Sequence, residues 1–84
     1  MLGMAKRSPI FAGDPALVAL GVAIRRARTE LGLSQEALAV EADVDRSYMG
    51  GVERGEHNLS IMRIIKICNA LNAKPSALLE EAGL

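Results

Sequence analysis

The sequence predicts an all-α fold, and three features support this prediction. Half of the 84 residues are apolar but only 2% are aromatic, so the core must consist mainly of aliphatic side chains, which suit packed helices. No stretch alternates between apolar and polar residues as a strand would, whereas apolar residues recur at spacings of three and four. The chain length allows one domain with a single core.

The first helix should follow a flexible arm. Residues 1–14 lack a periodic pattern, and we expect them to form this arm, with the folded domain spanning residues 15–84. The helix should begin at Asp14 and Pro15, because Asp caps helices and Pro suits the first helical position. Gly32 should end it. Its apolar stripe consists of Leu17, Leu20, Ile24, Ala27 and Leu31.

Residues 35–54 should form two short helices joined by a bend at Asp43. Ser34 is expected to cap the first helix (residues 35–42) and Asp45 the second. The apolar residues that would pack the two helices together are Leu38, Ala39, Val44, Met49 and Val52. This layout is typical of a helix-turn-helix, whose second helix enters the DNA major groove. The residues expected to face outward are Arg46, Ser47, Gly50, Gly51 and Arg54.

Two further helices are predicted after a polar loop. Ser60 should cap a fourth helix that runs to about Leu71, and Asn72 can adopt the left-handed conformation that ends it. Pro75 should open a short fifth helix. The apolar residues of these helices exceed what so small a domain can bury, so we expect a symmetric homodimer formed through the C-terminal helices.

Several classes of function find no support in the sequence. It contains no carboxylate pair, Cys–His arrangement or phosphate-binding loop, and His57 has no companion at metal-ligand spacing. Cys68 is the single cysteine, so it cannot form a disulfide within the chain. The apolar residues 16–24 are too short to span a bilayer and lack a signal-peptide cleavage site. We therefore expect a cytoplasmic protein that is not an enzyme and has no cofactor, metal or small-molecule effector.

The order of four motifs (GLSQEALA, DRSY, ERG and NALN) resembles the phage repressor/Cro-type, or XRE-type, helix-turn-helix domain over residues 24–79. The segment DRSYMGGVERGEHN is most similar to the controller proteins of restriction–modification systems. The resemblance implies a compact, five-helix, lambda-repressor-like domain with its helix-turn-helix at residues 35–54. It also implies a homodimer that binds the two halves of a palindromic DNA operator.

The resemblance also implies roles for individual residues. Arg46 and Ser47 would face base edges, and Tyr48 would reach either a base or the backbone. Arg28 and Glu53 would pair and link the first helix to the third. The residues that would contact phosphates are Gln35, Asn58 and Ser60. The sequence departs from the family pattern at Asp43 and Asn72, where Gly is common, and at Gly50 and Gly51, where side chains often read bases.

Two of these assignments have alternatives. Arg46 would donate two hydrogen bonds to a guanine, or would contact a phosphate, or would be an ordinary exposed residue. Gly50 and Gly51 would let the helix sit deeper in the groove, or are simply tolerated at an exposed site despite a cost of about 1 kcal/mol each in a helix. Arg25, Arg26 and Arg63 are expected on solvated faces, with a phosphate contact as the alternative.

The charge distribution keeps a second function class open. The net charge is zero, and residues 35–57 carry six acidic residues but only two arginines. An acidic helix-turn-helix is a poor match to the phosphate backbone, which supplies most non-specific affinity. The sequence-based hypothesis is a sequence-specific DNA-binding transcriptional regulator, a repressor or an activator. A protein-interaction module or an antitoxin-like component with the same fold is the alternative.

Overall fold

Five α-helices follow one another in residues 7–84, the part of the chain that the computed structural model describes. No strand occurs in this part, so the all-α prediction is confirmed. The predicted arm falls partly outside it, since residues 1–6 are not among the described residues. The helices are α1 (Pro15–Glu30), α2 (Gln35–Glu41), α3 (Arg46–Glu53), α4 (Ile61–Ala70) and α5 (Pro75–Glu81).

The first four helices begin at the capping residues that the sequence predicts. In each case a side-chain oxygen accepts a hydrogen bond from a backbone N–H in the first turn, at 2.7 to 3.2 Å. Such a bond satisfies one of the four amide groups that a helix start leaves without a partner. These caps are Asp14, Ser34, Asp45 and Ser60. The fifth helix starts with Pro75 instead and has no side-chain cap.

Left-handed residues end the helices and set the bends between them. Gly32 and Gly55 adopt φ angles of 74° and 78° after α1 and α3. Asp43 and Asn72 occupy the equivalent conformation after α2 and α4, with φ angles of 60° and 55°. Asp and Asn tolerate this region better than most residues with a side chain.

Four of the five helices contribute to the most deeply buried part of the core. Its largest fully buried side chains are Ile24, Leu38, Met49, Ile67 and Cys68, and Leu78 of α5 is also buried. The stripe predicted for α1 is buried at Leu20 and Ile24, but Leu31 is 50% exposed because the helix has already ended at Glu30. The core thus holds α3 against both α1 and α2.

A glycine in α1 allows the closest approach to α3. A Cβ atom added to Gly21 would lie 2.5 Å from the carbonyl oxygen of Glu53 and 2.6 Å from that of Val52. Real Cβ atoms essentially never come so close to backbone, so any side chain at Gly21 would push α1 away from the end of α3. The apolar pattern of α1 does not reveal this contact, although a glycine within a helical pattern often has a packing reason.

Part of the predicted arm is held against the domain. Residues 9–13 form turns, and the amide groups of Ser8 and Gly13 each donate a 2.8 Å hydrogen bond, to the carbonyls of Glu56 and Gly55 respectively. Ile10 remains 79% exposed. Residues 8–13 therefore lie against the loop that follows α3.

Candidate nucleic-acid interface

The first turn of α3 presents the two residues that the sequence predicts at base edges. Arg46 and Ser47 are both exposed. Their backbone is fixed by Asp45, whose carboxylate accepts a 2.7 Å hydrogen bond from the amide of Tyr48. Polar, exposed side chains on a capped helix start are suited to hydrogen bonding with an external partner.

Glu53, at the other end of α3, lies at the centre of a buried polar network. Its carboxylate accepts hydrogen bonds from Arg28 Nε at 2.6 Å and Arg28 Nη2 at 3.0 Å. It also accepts a 2.9 Å hydrogen bond from the side-chain amide of Gln35. The side chains of Arg28 and Glu53 are only 11% and 3% exposed. Arg28 also donates to the carbonyl of Leu33, so one network joins α1, α2, α3 and the loop before α2.

Gln35 therefore has a structural contact that the sequence did not predict. Its amide nitrogen is bonded to Glu53, and its side-chain oxygen would lie 3.6 Å from a Cβ atom added to Gly50. This places the start of α2 beside the middle of α3. The other two residues expected at phosphates, Asn58 and Ser60, are exposed before the start of α4.

The predicted outward orientation of Gly50 and Gly51 is wrong, because both residues are buried. A Cβ atom on Gly50 would meet only Nη1 of Arg54, at 3.1 Å, and the Gln35 oxygen. A Cβ atom on Gly51 would overlap the imidazole of His57, reaching within 2.7 Å of Cδ2 and still closer to Nε2. Gly51 is thus neither a tolerated exposed glycine nor a bare groove-facing position, since it forms the floor on which His57 packs.

Aromatic and cationic groups surround Tyr48 at the junction of three elements. The Tyr48 and His57 rings are stacked, with centroids 4.3 Å apart and planes 16° from parallel. The Arg63 guanidinium carbon lies 4.8 Å from the Tyr48 centroid, which is within the range of a cation–π interaction. Burial raises the pKa of Tyr48, and Arg63 partly opposes this change. The phenol therefore stays protonated at neutral pH and can donate a hydrogen bond.

Arg54, also predicted to face outward, has an exposed side chain that pairs with a neighbour. Its Nε donates a 2.8 Å hydrogen bond to Glu56, and the side chain is 62% exposed. The hydrogen bond raises the pKa of Arg54 and lowers that of Glu56, so both groups are charged at neutral pH. The pair lies directly after α3 and brings a cation next to the outward-facing surface.

Sequence reasoning missed the packing of His57 and Arg63 against Tyr48. His57 lies outside every helix and Arg63 falls among other exposed residues of α4, so neither belongs to a periodic pattern. Within residues 7–84, no three His, Cys, Asp or Glu side chains are grouped as metal ligands would be. None of the helices in this range has the length and apolar character needed to cross a membrane.

Comparisons with known proteins agree with this geometry. The model of the helix-turn-helix family matches residues 24–78. The control protein C.BamHI of Bacillus amyloliquefaciens is 41% identical over 61 residues, which cover 71% of this chain and 75% of that protein.

Two solved structures extend the comparison. The restriction–modification controller protein C.AhdI of Aeromonas hydrophila is 50% identical, with a TM-score of 0.72 over 74% of this chain and 94% of the other. The clp gene regulator ClgR of Corynebacterium glutamicum is 32% identical, with a TM-score of 0.80 over 81% of this chain and 87% of the other. The chain belongs to the XRE-type helix-turn-helix family, and its relatives include control proteins of restriction–modification systems.

Proposed function

We propose that the protein is a sequence-specific, DNA-binding transcriptional regulator that binds a palindromic operator as a homodimer. The observation that carries this proposal is the exposed first turn of α3, where Arg46 and Ser47 extend from a helix whose other end is fixed. The Glu53 network and the contact at Gly21 fix that end, so α3 would enter a major groove without reorganising.

The acidic balance of residues 35–57, which favoured a protein-interaction module, is partly offset by pairing within the chain. Four of its six acidic side chains have an internal partner: Asp43 with Lys66, Asp45 with the start of α3, Glu53 with Arg28, and Glu56 with Arg54. A carboxylate bonded to a cation or to amide groups repels a phosphate less than a solvated one does. This arrangement favours DNA over a protein partner.

The homodimer accounts for the apolar residues left on α4. Ile61 and Met62 are 62% and 59% exposed, and Ile65 is only half-buried. A single recognition helix reads few base pairs, whereas two helices related by a twofold axis read half-sites about 34 Å apart. The C-terminal helices would form the dimer contact, and the exposed Asn58 and Ser60, together with Gln35 at the start of α2, would contact phosphates.

The test is a gel-shift titration of the chain against the DNA upstream of its own coding sequence, repeated at several salt concentrations. We expect binding that is sequence-selective and that weakens steeply with salt, because phosphate contacts release counterions. Arg46→Ala should lower discrimination at one base pair per half-site by about 1–3 kcal/mol. Arg26→Ala, an exposed arginine on α1, is the matched control and should leave discrimination unchanged.

Selectivity that is unchanged in Arg46→Ala would remove the base-reading role of Arg46. A wild-type chain with no sequence preference and a shallow salt dependence would favour the alternative, a protein-interaction module or antitoxin-like component.

A further inference from the structure

His57 occupies a position that the DNA-binding proposal alone does not explain. It follows α3 by four residues, yet its side chain folds back over the helix and leaves the residue only 6% exposed. The notch that receives the imidazole exists because position 51 has no side chain: even one added carbon would overlap the ring. A glycine in the middle of an eight-residue helix destabilises it relative to alanine. Glycine at position 51 is explained by the space that the His57 imidazole needs.

The same imidazole forms one wall of the site that holds Tyr48. The two rings are stacked with centroids 4.3 Å apart and planes 16° from parallel, which restricts the tilt of the phenol. Arg63 on α4 adds a second contact to the same ring. Tyr48 lies in the same first turn of α3 as Arg46 and Ser47 and is half-buried, so part of it is open to solvent near the surface assigned to DNA.

We infer that His57 is a positioning residue of the DNA interface: seated over Gly51, it holds the Tyr48 ring in one orientation before DNA arrives. Tyr48 is then a specificity-determining residue whose hydroxyl is presented in a fixed place. This inference rests on the proposed function, because it assigns a role within that interface. Its physical basis is that a ring already ordered in the unbound protein loses little conformational freedom on binding.

The composition of the chain provides a direct probe of this arrangement. Tyr48 is the single tyrosine and the chain has no tryptophan, so intrinsic fluorescence excited at tyrosine wavelengths reports on this one ring. The fluorescence anisotropy of the unbound protein measures how freely the ring moves. A residue that only stabilised the fold would leave this signal unchanged as long as the protein stayed folded.

The experiment compares His57→Ala with His57→Phe. His57→Ala removes the stacking partner, and we expect lower Tyr48 anisotropy and operator binding weakened by about 3- to 10-fold, as an aromatic pair predicts. Binding to unrelated DNA should change less, so selectivity falls. His57→Phe keeps a stacked ring and should restore both the anisotropy and the selectivity.

A second pair of variants tests the role of Gly51 without removing the histidine. Gly51→Ala should displace the imidazole and reproduce the lower anisotropy of His57→Ala. The double variant Gly51→Ala/His57→Ala should be no worse than His57→Ala alone, since the clash is gone. Gly50→Ala is the matched control for anisotropy, because its added carbon does not approach His57. Circular dichroism checks that each variant is folded.

The outcomes separate this inference from the proposed function. Unchanged Tyr48 anisotropy in folded His57→Ala, or a His57→Phe variant that restores neither signal, would overturn the role of His57 in a protein that still binds its operator. A wild-type chain with no operator preference would overturn the proposed function itself. Lower anisotropy with unchanged selectivity would show that His57 orders Tyr48 but that Tyr48 does not determine specificity, which also contradicts the inference.

Discussion

Glu53 is the residue on which the placement of α3 depends most. Its carboxylate is almost completely removed from water, yet every hydrogen bond it accepts comes from another element of the fold. Removing one partner of a buried ion pair leaves the other charge without compensation, which costs far more than the pair itself contributes. Any movement of α3 that separated Glu53 from Arg28 would leave a buried charge without a partner. The cost of that separation keeps α3 in its orientation.

Glu53→Ala should lower the free energy of unfolding by about 3 kcal/mol, because Arg28 would remain buried without its carboxylate. Urea denaturation measures this change. Glu56→Ala, which breaks the exposed pair with Arg54, is the matched control and should change it by less than about 0.5 kcal/mol. Equal effects of the two substitutions, or no coupling between Arg28→Ala and Glu53→Ala in a double-mutant cycle, would contradict the structural role of this pair.

The neighbouring glycines of α3 should respond to alanine with opposite signs. Gly50→Ala gains about 0.5–1 kcal/mol of helix stability, since Arg54, the closest group to the new carbon, is the flexible end of an exposed side chain. Gly51→Ala should lose about 1–2 kcal/mol, because the imidazole of His57 must leave a packed site. Thermal melts of both variants measure the difference. A Gly51→Ala variant that melts at a higher temperature would show that the His57 imidazole can leave its site without loss of stability.

For single residues, the backbone conformation could be predicted from the sequence, but the burial of Gly50 and Gly51 could not. Asp43 and Asn72 could be assigned to left-handed bends because each stands where a helical pattern ends. Gly51 could not be assigned to a buried face, since a residue without a side chain carries no hydrophobic signal of its own. The group that covers it comes from His57, in a loop that has no periodicity.

The sequence was most informative about the helices, whose starts and ends it predicted. Each helix begins at a residue whose side chain or ring specifies a helix start, so the boundaries could be predicted to within about a residue. Their mutual arrangement could not. The contact of Gly21 with the end of α3 joins residues more than thirty positions apart, and nothing in the local pattern links them.

Helix α3 is short for an element that must keep a defined orientation. An isolated helix of eight residues is not stable in water, because nucleation is unfavourable and few hydrogen bonds follow it. Its stability must come from the cap at Asp45, the Glu53 network and packing of Met49 and Val52 in the core. The outward face thus contributes little to stability and can be substituted to alter binding.

The bend after α4 offers a test at this scale. Asn72→Gly should raise the free energy of unfolding by about 0.5 kcal/mol, because Gly adopts a φ of 55° without the steric penalty of a side chain. Asn72→Ala should lower it by about 1 kcal/mol for the same reason. Chemical denaturation distinguishes the two. A stabilising alanine would mean that the left-handed conformation is not maintained at this position.

At the scale of the whole molecule, the sequence predicted the exposed apolar surface but not the pairing of the charges. Three carboxylates of residues 35–57 are paired with cations, Glu53 in the interior and Asp43 and Glu56 at the surface, which the net charge of zero could not reveal. The apolar excess of α4 could be inferred from the sequence, because those residues cover more of the helix than one core can face. We expect that excess to drive dimerisation.

In the proposed homodimer, Ile65→Glu should favour the monomer, because a charge buried at the twofold contact would meet its own copy. Sedimentation velocity at micromolar concentrations measures the change. Val40→Glu is the matched control, since Val40 is 72% exposed and belongs to α2 rather than to α4 or α5, and its substitution should leave the sedimentation coefficient unchanged. A wild-type chain that sediments as a monomer at high micromolar concentration would refute the dimer.

The fit of His57 over Gly51 also constrains how this protein can change over generations. A side chain at position 51 overlaps the imidazole unless position 57 has already become small, whereas position 57 can become small while position 51 remains glycine. Changing position 57 first lowers binding selectivity, because Tyr48 loses its stacking partner, whereas changing position 51 first also destabilises the fold. A lineage that changes both positions is therefore expected to change position 57 first, so the history of this surface depends on a residue outside the recognition helix.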